Sequence, residues 1–337
     1  MKNSIKKALL ALAVLAVLTV LYVYWWENIR IVTVDRLNAT GSVQEIRALV
    51  MKHYGIDKKH GLNLTFTSRN PGDLERSIIS REHEGIHGTS PFFVPRSIAE
   101  GHALKIYSPE IAMTYHLAVR SSSPYKSIDD LIGRTVAVLP KVTAAYSSVA
   151  LILQSSLGIN PERDFKLVFG SIPDTIKLLR QGQVDAAIVS YPLAASLFAS
   201  GDFRSIARLA DFWEEKEGLR HPFVVNIVFE DWLKNRLNRS VTKRYVAASN
   251  ETVQLMMDRP EVVTEEGNPA LQEYLKTNGL DSPEAKRLLR ENVPALLYSV
   301  WDKKDVEAIK LVLKRAKEYG FLPPEAQIDK VMSPDKI

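Results

Sequence analysis

Apolar runs of strand length and apolar stripes of helical period take turns along most of this chain, with Gly, Pro and Asn between them. Residues 134–153, RTVAVLPKVTAAYSSVALIL, show the pattern at its clearest. Thr135 to Leu139 is an apolar, β-rich run, and Pro140 ends it. Thr143 stands where it can cap a helix whose apolar positions Tyr146, Val149, Leu151, Ile152 and Leu153 keep a roughly helical period. A helix opening just after a strand aims free backbone N–H groups at the carboxyl end of a sheet, a setting that favours a small anion. The loop lacks a Gly-rich phosphate signature, so the stretch alone also fits an ordinary α/β connection.

The same alternation predicts the rest. Ile29 to Val34 reads as a strand, Asp35 to Gly41 as a polar loop, and Ser42 to Tyr54 as an amphipathic helix. Gly61 to Phe66 alternates as a second strand, followed by a helix over Pro71 to Ser80. Glu84 to His87 is a short strand, and Ser90-Pro91 suits the cap and first turn of the next helix. Leu104 to Tyr107 is another strand, and Met113 to Arg120 a crossover strand into a second unit. That unit continues with a short helix at Ser127 to Leu131 and the stretch above. Then come a strand at Phe165 to Phe169, a helix at Pro173 to Arg180, a strand at Val184 to Val189 and one at Arg204 to Leu209. Phe223 to Phe229 returns as a strand, and the remainder is mostly helical, with long helices over Ser240 to Met257 and Asp302 to Tyr319. Alternating strands and helices predict parallel α/β sheets, with ligands beyond the carboxyl ends of their strands.

One segment breaks the alternation. Ala8 to Tyr24 is an uncharged apolar run after Lys2, Lys6 and Lys7, and Tyr22, Tyr24, Trp25 and Trp26 crowd its far end. At ~1.5 Å per residue, the run through Trp26 measures roughly 28 Å, close to a bilayer's hydrocarbon thickness. The expected cleavage site of a secretory signal is filled by Tyr and Trp. The preferred expectation is therefore an uncleaved transmembrane helix, with the N-terminus cytoplasmic and the body outside; a cleaved signal peptide is the alternative.

Composition narrows the function. The 337 residues are 46% hydrophobic and 25% charged, enough for about two domains. Formal net charge is +5, but removing the three early lysines from 44 basic residues leaves 41 against 39 acidic ones. With no basic stripe interleaved with aromatics, nucleic acid is not an expected partner. The absence of cysteine excludes disulfides, thiolate metal sites, a cysteine nucleophile and a lipidated N-terminal cysteine.

The order "GLNLTF", "PGDLERSII", a short strand, "GTSP" and "AEGHALKIY", continued by "SIDDLIGRTVAV", "LLRQGQVDAAIVSYP" and "AKEYGFLPP", resembles the extracytoplasmic solute-binding proteins of ABC importers, in the nitrate, sulfonate, taurine and thiamine-precursor group. The resemblance runs over about residues 29 to 325. Where the family usually has "VDIA", this chain has Glu84-Gly85-Ile86-His87. It implies a two-lobed periplasmic binding protein type 2 fold, each lobe a doubly wound mixed sheet with helices on both faces, beside the N-terminal transmembrane helix. Residues 1–27 would be the anchor, 28–117 with 223–325 lobe I, 118–222 lobe II and 326–337 a tail.

The resemblance also implies function: capture of a small organic or inorganic anion, or a thiamine-type pyrimidine, between the lobes, without catalysis and without a cofactor. The partners would be ABC permease subunits, the membrane through the N-terminal helix, and no second copy of the chain. The contacts carried over are Asn38, Ala39 and Thr40, Thr89 and Ser90, Lys141, Val142, Thr143 and Ala144, and Ser190 with Tyr191. Hydroxyls and backbone amides can hold a sulfonate or carboxylate without burying an unpaired cation. The bland readings stand beside these: Lys141 as a solvated lysine, Ser90 as a cap, Tyr191 as core. His83 and His87 have the four-residue spacing of a helical metal pair, but Gly85 and Gly88 argue against a helix, and no metal is expected. His116 in the crossover strand faces either cleft or core. Two alternatives remain: an enzyme like the thiamine-pyrimidine synthases, against which the missing cysteines count, and a ligand-sensing receptor domain.

Overall fold

The computed structural model describes residues 2–28, 30–299 and 301–332. Ten strands form two five-stranded sheets. The first contains β1 (Val32–Ala39), β2 (Leu62–Arg69), β3 (Gly85–Thr89), β4 (Leu104–Ala112) and β10 (Pro222–Phe229) in the order β2-β1-β3-β10-β4. The second contains β5 (Tyr115–Arg120), β6 (Thr135–Val138), β7 (Lys166–Phe169), β8 (Ala186–Ser190) and β9 (Phe203–Arg208) in the order β7-β6-β8-β5-β9. The sheets share one plan. β1 pairs in parallel with β2 and β3, as β6 does with β7 and β8. β10 and β5 run antiparallel to both their neighbours. Each antiparallel strand follows a segment of the other sheet, so the chain crosses twice. The crossings lie side by side: Met113 N–H donates to the His221 carbonyl at 3.0 Å, and the Tyr115 and Phe223 rings meet edge to face at 5.2 Å.

The helices after β6 and β7 open on side-chain capping signals. Thr143 caps the helix Ala144–Leu157, its hydroxyl accepting the Tyr146 N–H at 3.1 Å. Ser171 and Asp174 form a capping box on the helix Ile172–Arg180. The helices Arg236–Asp258 and Lys303–Glu318 are the two long ones expected, the second capped by Asp302.

Two strands outrun their sequence signals. β1 continues to Ala39 through the segment expected to be a loop, because Arg36, Leu37 and Asn38 are buried and the whole run pairs in register with β2. β4 continues past Pro109 to Ala112, with register shifts against β10 around the proline. An edge strand with a bulge tolerates the missing N–H. His87 lies in β3, not on a helix, and among the described residues no group of side chains is arranged to hold a metal ion.

Residues Lys2–Asn28 form one α-helix. Among the described residues no helix is long and apolar enough to cross a membrane.

Candidate functional site

A cavity of about 500 Å³ opens between the carboxyl ends of the parallel strands of both sheets. The first sheet lines it with the turn after β1 (Ala39 to Gln44), the helix after β2 (Asn70 to Glu75) and Gly88 to Ser90 at the end of β3. The second lines it with Leu139, Pro140 and Thr143 to Ala145 after β6, Ser171 to Pro173 after β7, and Ser190 and Tyr191 after β8. The crossing segments supply Thr114, Tyr115, Phe223 and Val224 as its floor.

The wall combines an apolar body with polar points. Leu74, Ile111, Leu139, Ile172, Leu193, Phe223 and Val224 are the apolar part. Thr40, Thr89 and Thr114 bring hydroxyls that form no side-chain hydrogen bond among the described residues. Tyr115 is paired with Ser190, and burial pushes its phenol well up. Tyr191 is likewise raised, to about 12, mainly by burial. Thr143, Ala144 and Ala145, which open the helix Ala144–Leu157, line the cavity, and a helix N-terminus there is a field that favours negative charge.

Behind the first sheet's wall lies a buried charged centre. The Glu110 carboxylate accepts from the Arg36 and Arg47 guanidiniums through one oxygen and from Gln44 Nε2 at 2.9 Å through the other. Arg47 also donates to Tyr245 OH at 2.8 Å and Ser249 Oγ at 2.9 Å, and Arg36 lies 4.8 Å over the Tyr245 ring. Burial would raise Glu110, but the two guanidiniums outweigh it and hold the carboxyl below its usual range. Two cations against one anion leave a net positive charge. Gln44 carries that centre to the cavity, since its Oε1 accepts the Ala39 N–H at 3.0 Å and shapes the turn. His87, buried in β3, is kept neutral: burial and then Arg36 lower it to about 3.

Eight residues named from sequence stand on the cavity wall: Ala39, Thr40, Thr89, Ser90, Thr143, Ala144, Ser190 and Tyr191. Three do not. Asn38 is buried inside β1. Val142 is 85% exposed, and Lys141 pairs with Glu162 at 2.6 Å on the outer surface. The Thr143 N–H bond to the Pro140 carbonyl at 2.9 Å folds the loop into a turn, which throws its middle two residues outward. Ser90 is not the cap of its helix; Phe92 is, and the Ser90 hydroxyl accepts the Phe92 N–H at 3.3 Å. His116 faces away from the cavity, with Nδ1 3.0 Å from Ser205 Oγ, and burial followed by Arg208 lowers it to about 4. Sequence reasoning missed Gln44, Glu75, Thr114 and Tyr115. The first two sit on helices with strong apolar stripes, and the others in the crossing; only topology brings them to the cavity.

Residues 87–243 match the family described as ABC transporter, phosphonate, periplasmic substrate-binding protein. The periplasmic aliphatic sulphonate binding protein SsuA of Escherichia coli superposes with a TM-score of 0.68 at 18% identity, covering 89% of this chain and 92% of that one. The fold is that of a periplasmic substrate-binding protein. The alkanesulfonate-binding protein SsuA of Xanthomonas axonopodis pv. citri, bound to MOPS, superposes with a TM-score of 0.67 at 15% identity, covering 90% and 99%. The ligand-binding component of an ABC-type import system from Staphylococcus aureus, with zinc bound, gives 0.64 at 11% identity, covering 91% and 97%. No curated protein sequence matches the chain. The cavity lies beyond the carboxyl ends of the parallel strands, the general place for ligands in open α/β sheets.

Proposed function

We propose that the protein is the extracytoplasmic solute-binding component of an ABC importer and captures a small organic anion, with sulfonates the leading class, without changing it chemically. The observation that carries this reading is the cavity itself: it joins the ends of both sheets and offers a helix N-terminus and free hydroxyls, and a net positive charge lies behind one wall. Its volume and apolar lining suit an anionic head with an apolar body better than a bare inorganic ion such as nitrate. Residues 28–117 with 223–325 act as lobe I and 118–222 as lobe II, closing over the ligand about the two crossings. The closed form then docks on the permease.

The helix Lys2–Asn28 is the proposed membrane attachment. Its described side chains from Leu9 to Trp25 are all exposed, Leu9 by 61%, Leu10 by 67% and Val20 by 67%, and an apolar surface of that kind belongs in lipid. The mass of the protein recovered from membranes tests this; loss of the first ~25 residues, a typical signal length, counts against an uncleaved anchor.

Thermal unfolding of the detergent-solubilised full chain, with alkyl sulfonates, phosphonates, carboxylates and nitrate added in turn, tests the binding reading. A ligand at a hundred times its Kd adds about 2.7 kcal/mol. Saturable stabilisation by organic anions and recovery of the unaltered ligand are expected. No stabilisation by any anion, or recovery of a product, overturns the proposal.

A further inference from the structure

Positive charge gathers where the N-terminal helix meets the body. Residues 232–250 hold five basic side chains, Lys234, Arg236, Arg239, Lys243 and Arg244, and no acid, although the body as a whole is nearly neutral. They lie on the short turn Trp232–Lys234 and in the first half of the helix Arg236–Asp258. Arg236, Arg239 and Lys243 recur at helical spacing and share one face. The helix Ile56–Lys59 packs against this helix and adds Lys58 and Lys59. Lys58, Lys234 and Lys243 are exposed and make no ion pair among the described residues. The acids nearby are already engaged: Asp57 is buried against Lys52, Glu251 takes Lys59 and His60, Glu230 takes Lys105, and Asp231 takes Arg81.

This face is tied to the end of the N-terminal helix. Three residues separate the helix Lys2–Asn28 from β1, and the Arg30 N–H donates back to the Trp25 carbonyl at 3.1 Å. Arg244 Nη1 donates to the Arg30 carbonyl at 2.9 Å and to the Gly61 carbonyl at 3.0 Å. Burial, and then the neighbouring charge of Arg30, lowers Arg244 from its usual value, so positive charge is crowded at the junction itself. Tyr22, Tyr24 and Trp25 mark the level at which such a helix leaves the hydrocarbon. The link from Asn28 to Val32 can span no more than about 14 Å, and the Debye length at physiological ionic strength is about 8 Å. The tether thus keeps the near edge of the basic face within the field of the headgroups. Resting on the membrane attachment above, we propose that this basic face lies on the phosphates of anionic phospholipids. The cavity is at the other end of β1, about 25 Å along the strand, and so stays clear of the headgroups.

Lysine labelling tests this on the full chain reconstituted in nanodiscs, of phosphatidylcholine alone or with phosphatidylglycerol added. A membrane-impermeant amine-acylating reagent is followed residue by residue by mass spectrometry. Lys58, Lys234 and Lys243 should acylate about five-fold more slowly in the anionic discs, as expected of an ammonium held at an anionic surface. The exposed Lys126 and Lys177, beside the second sheet, should react alike in both. Salt at 1 M, where the Debye length is about 3 Å, should remove the difference. In the double variant Lys58→Glu, Lys243→Glu the shielding of Lys234 should fall to about two-fold or less. Equal labelling of the basic face in the two discs, equal shielding of Lys126 and Lys177, or shielding that survives the double variant overturns the lipid face. Flotation of the full chain with vesicles of both compositions is measured alongside. A chain that floats yet labels equally loses only the lipid face; a chain that floats with neither loses the attachment as well.

Discussion

The two sheets follow one strand plan but are held together by different physics. The first has a polar interior: Arg36, Asn38, Gln44, Arg47, His87, Glu110 and Asn226 are all buried on or against it. The second is built on volume. Ala137, Ala187 and Ala118 lie side by side across β6, β8 and β5, and the helix Ile172–Arg180 packs over them with Ile176 and Leu179. One sheet depends on every charge keeping its partner; the other depends on nothing intruding. The first should fail when charge changes, the second when size changes.

Substitutions can break that contrast, and the largest effect belongs to Glu110→Ala. Removing the carboxylate leaves Arg36 and Arg47 buried together, a loss of about 3–5 kcal/mol in denaturant unfolding. A loss below about 1 kcal/mol would mean that the centre is not a coupled unit. Ala187→Leu comes next: it overpacks the alanine row and should cost about 1–3 kcal/mol. Glu110→Gln at the first sheet keeps shape yet should cost far more than Ala187→Ser, which nearly keeps shape at the second. The reverse ranking would dissolve the distinction.

Acid sharpens it further. His87, His116 and His221 are lowered to about 3, 4 and 3, each mainly by burial. A folded-state value below the unfolded one, ~6.5, gives stability that is complete above that pH and drains as pH falls toward the folded values. Each such histidine adds a slope of up to ~1.4 kcal/mol per pH unit. Unfolding followed from pH 7 to 5 should therefore steepen below 6.5, and His87→Gln should flatten it; a profile unchanged by that substitution removes His87 from the account. Glu75 works in the other direction and is the smallest effect, being half-exposed. Its folded value of about 7 lies above the unfolded one, so its contribution is present at low pH and lost as pH rises through 7. Glu75→Gln should raise the Tm at pH 8 relative to wild type and leave it nearly unchanged at pH 4.

Local pattern was a good guide wherever local physics decides. The apolar run of β6, the Thr143 cap and the return strand β10 are where alternation and capping put them. β1 shows the limit. Arg36 and Asn38 look like loop residues because polar side chains seldom enter a sheet interior; the partner that admits Arg36 is Glu110, 74 positions away. Glu75 was invisible for a related reason. Its helix reads as an ordinary amphipathic one, and nothing within the helix reveals that its half-buried edge faces a second sheet. Lys141 and Val142 erred the other way, since proximity in sequence to the Thr143 cap says nothing about which side of a tight turn a residue occupies.

Gly88 carries a consequence for descent. A methyl group added there would overlap the Gln44 amide, the Glu110 carboxylate and the Arg36 guanidinium at once. The glycine is thus the space in which the charged centre fits, and the two should be inherited as a unit. Any relative with a side chain at this position should also have changed at least one of those three residues, and restoring the glycine alone should not restore the centre.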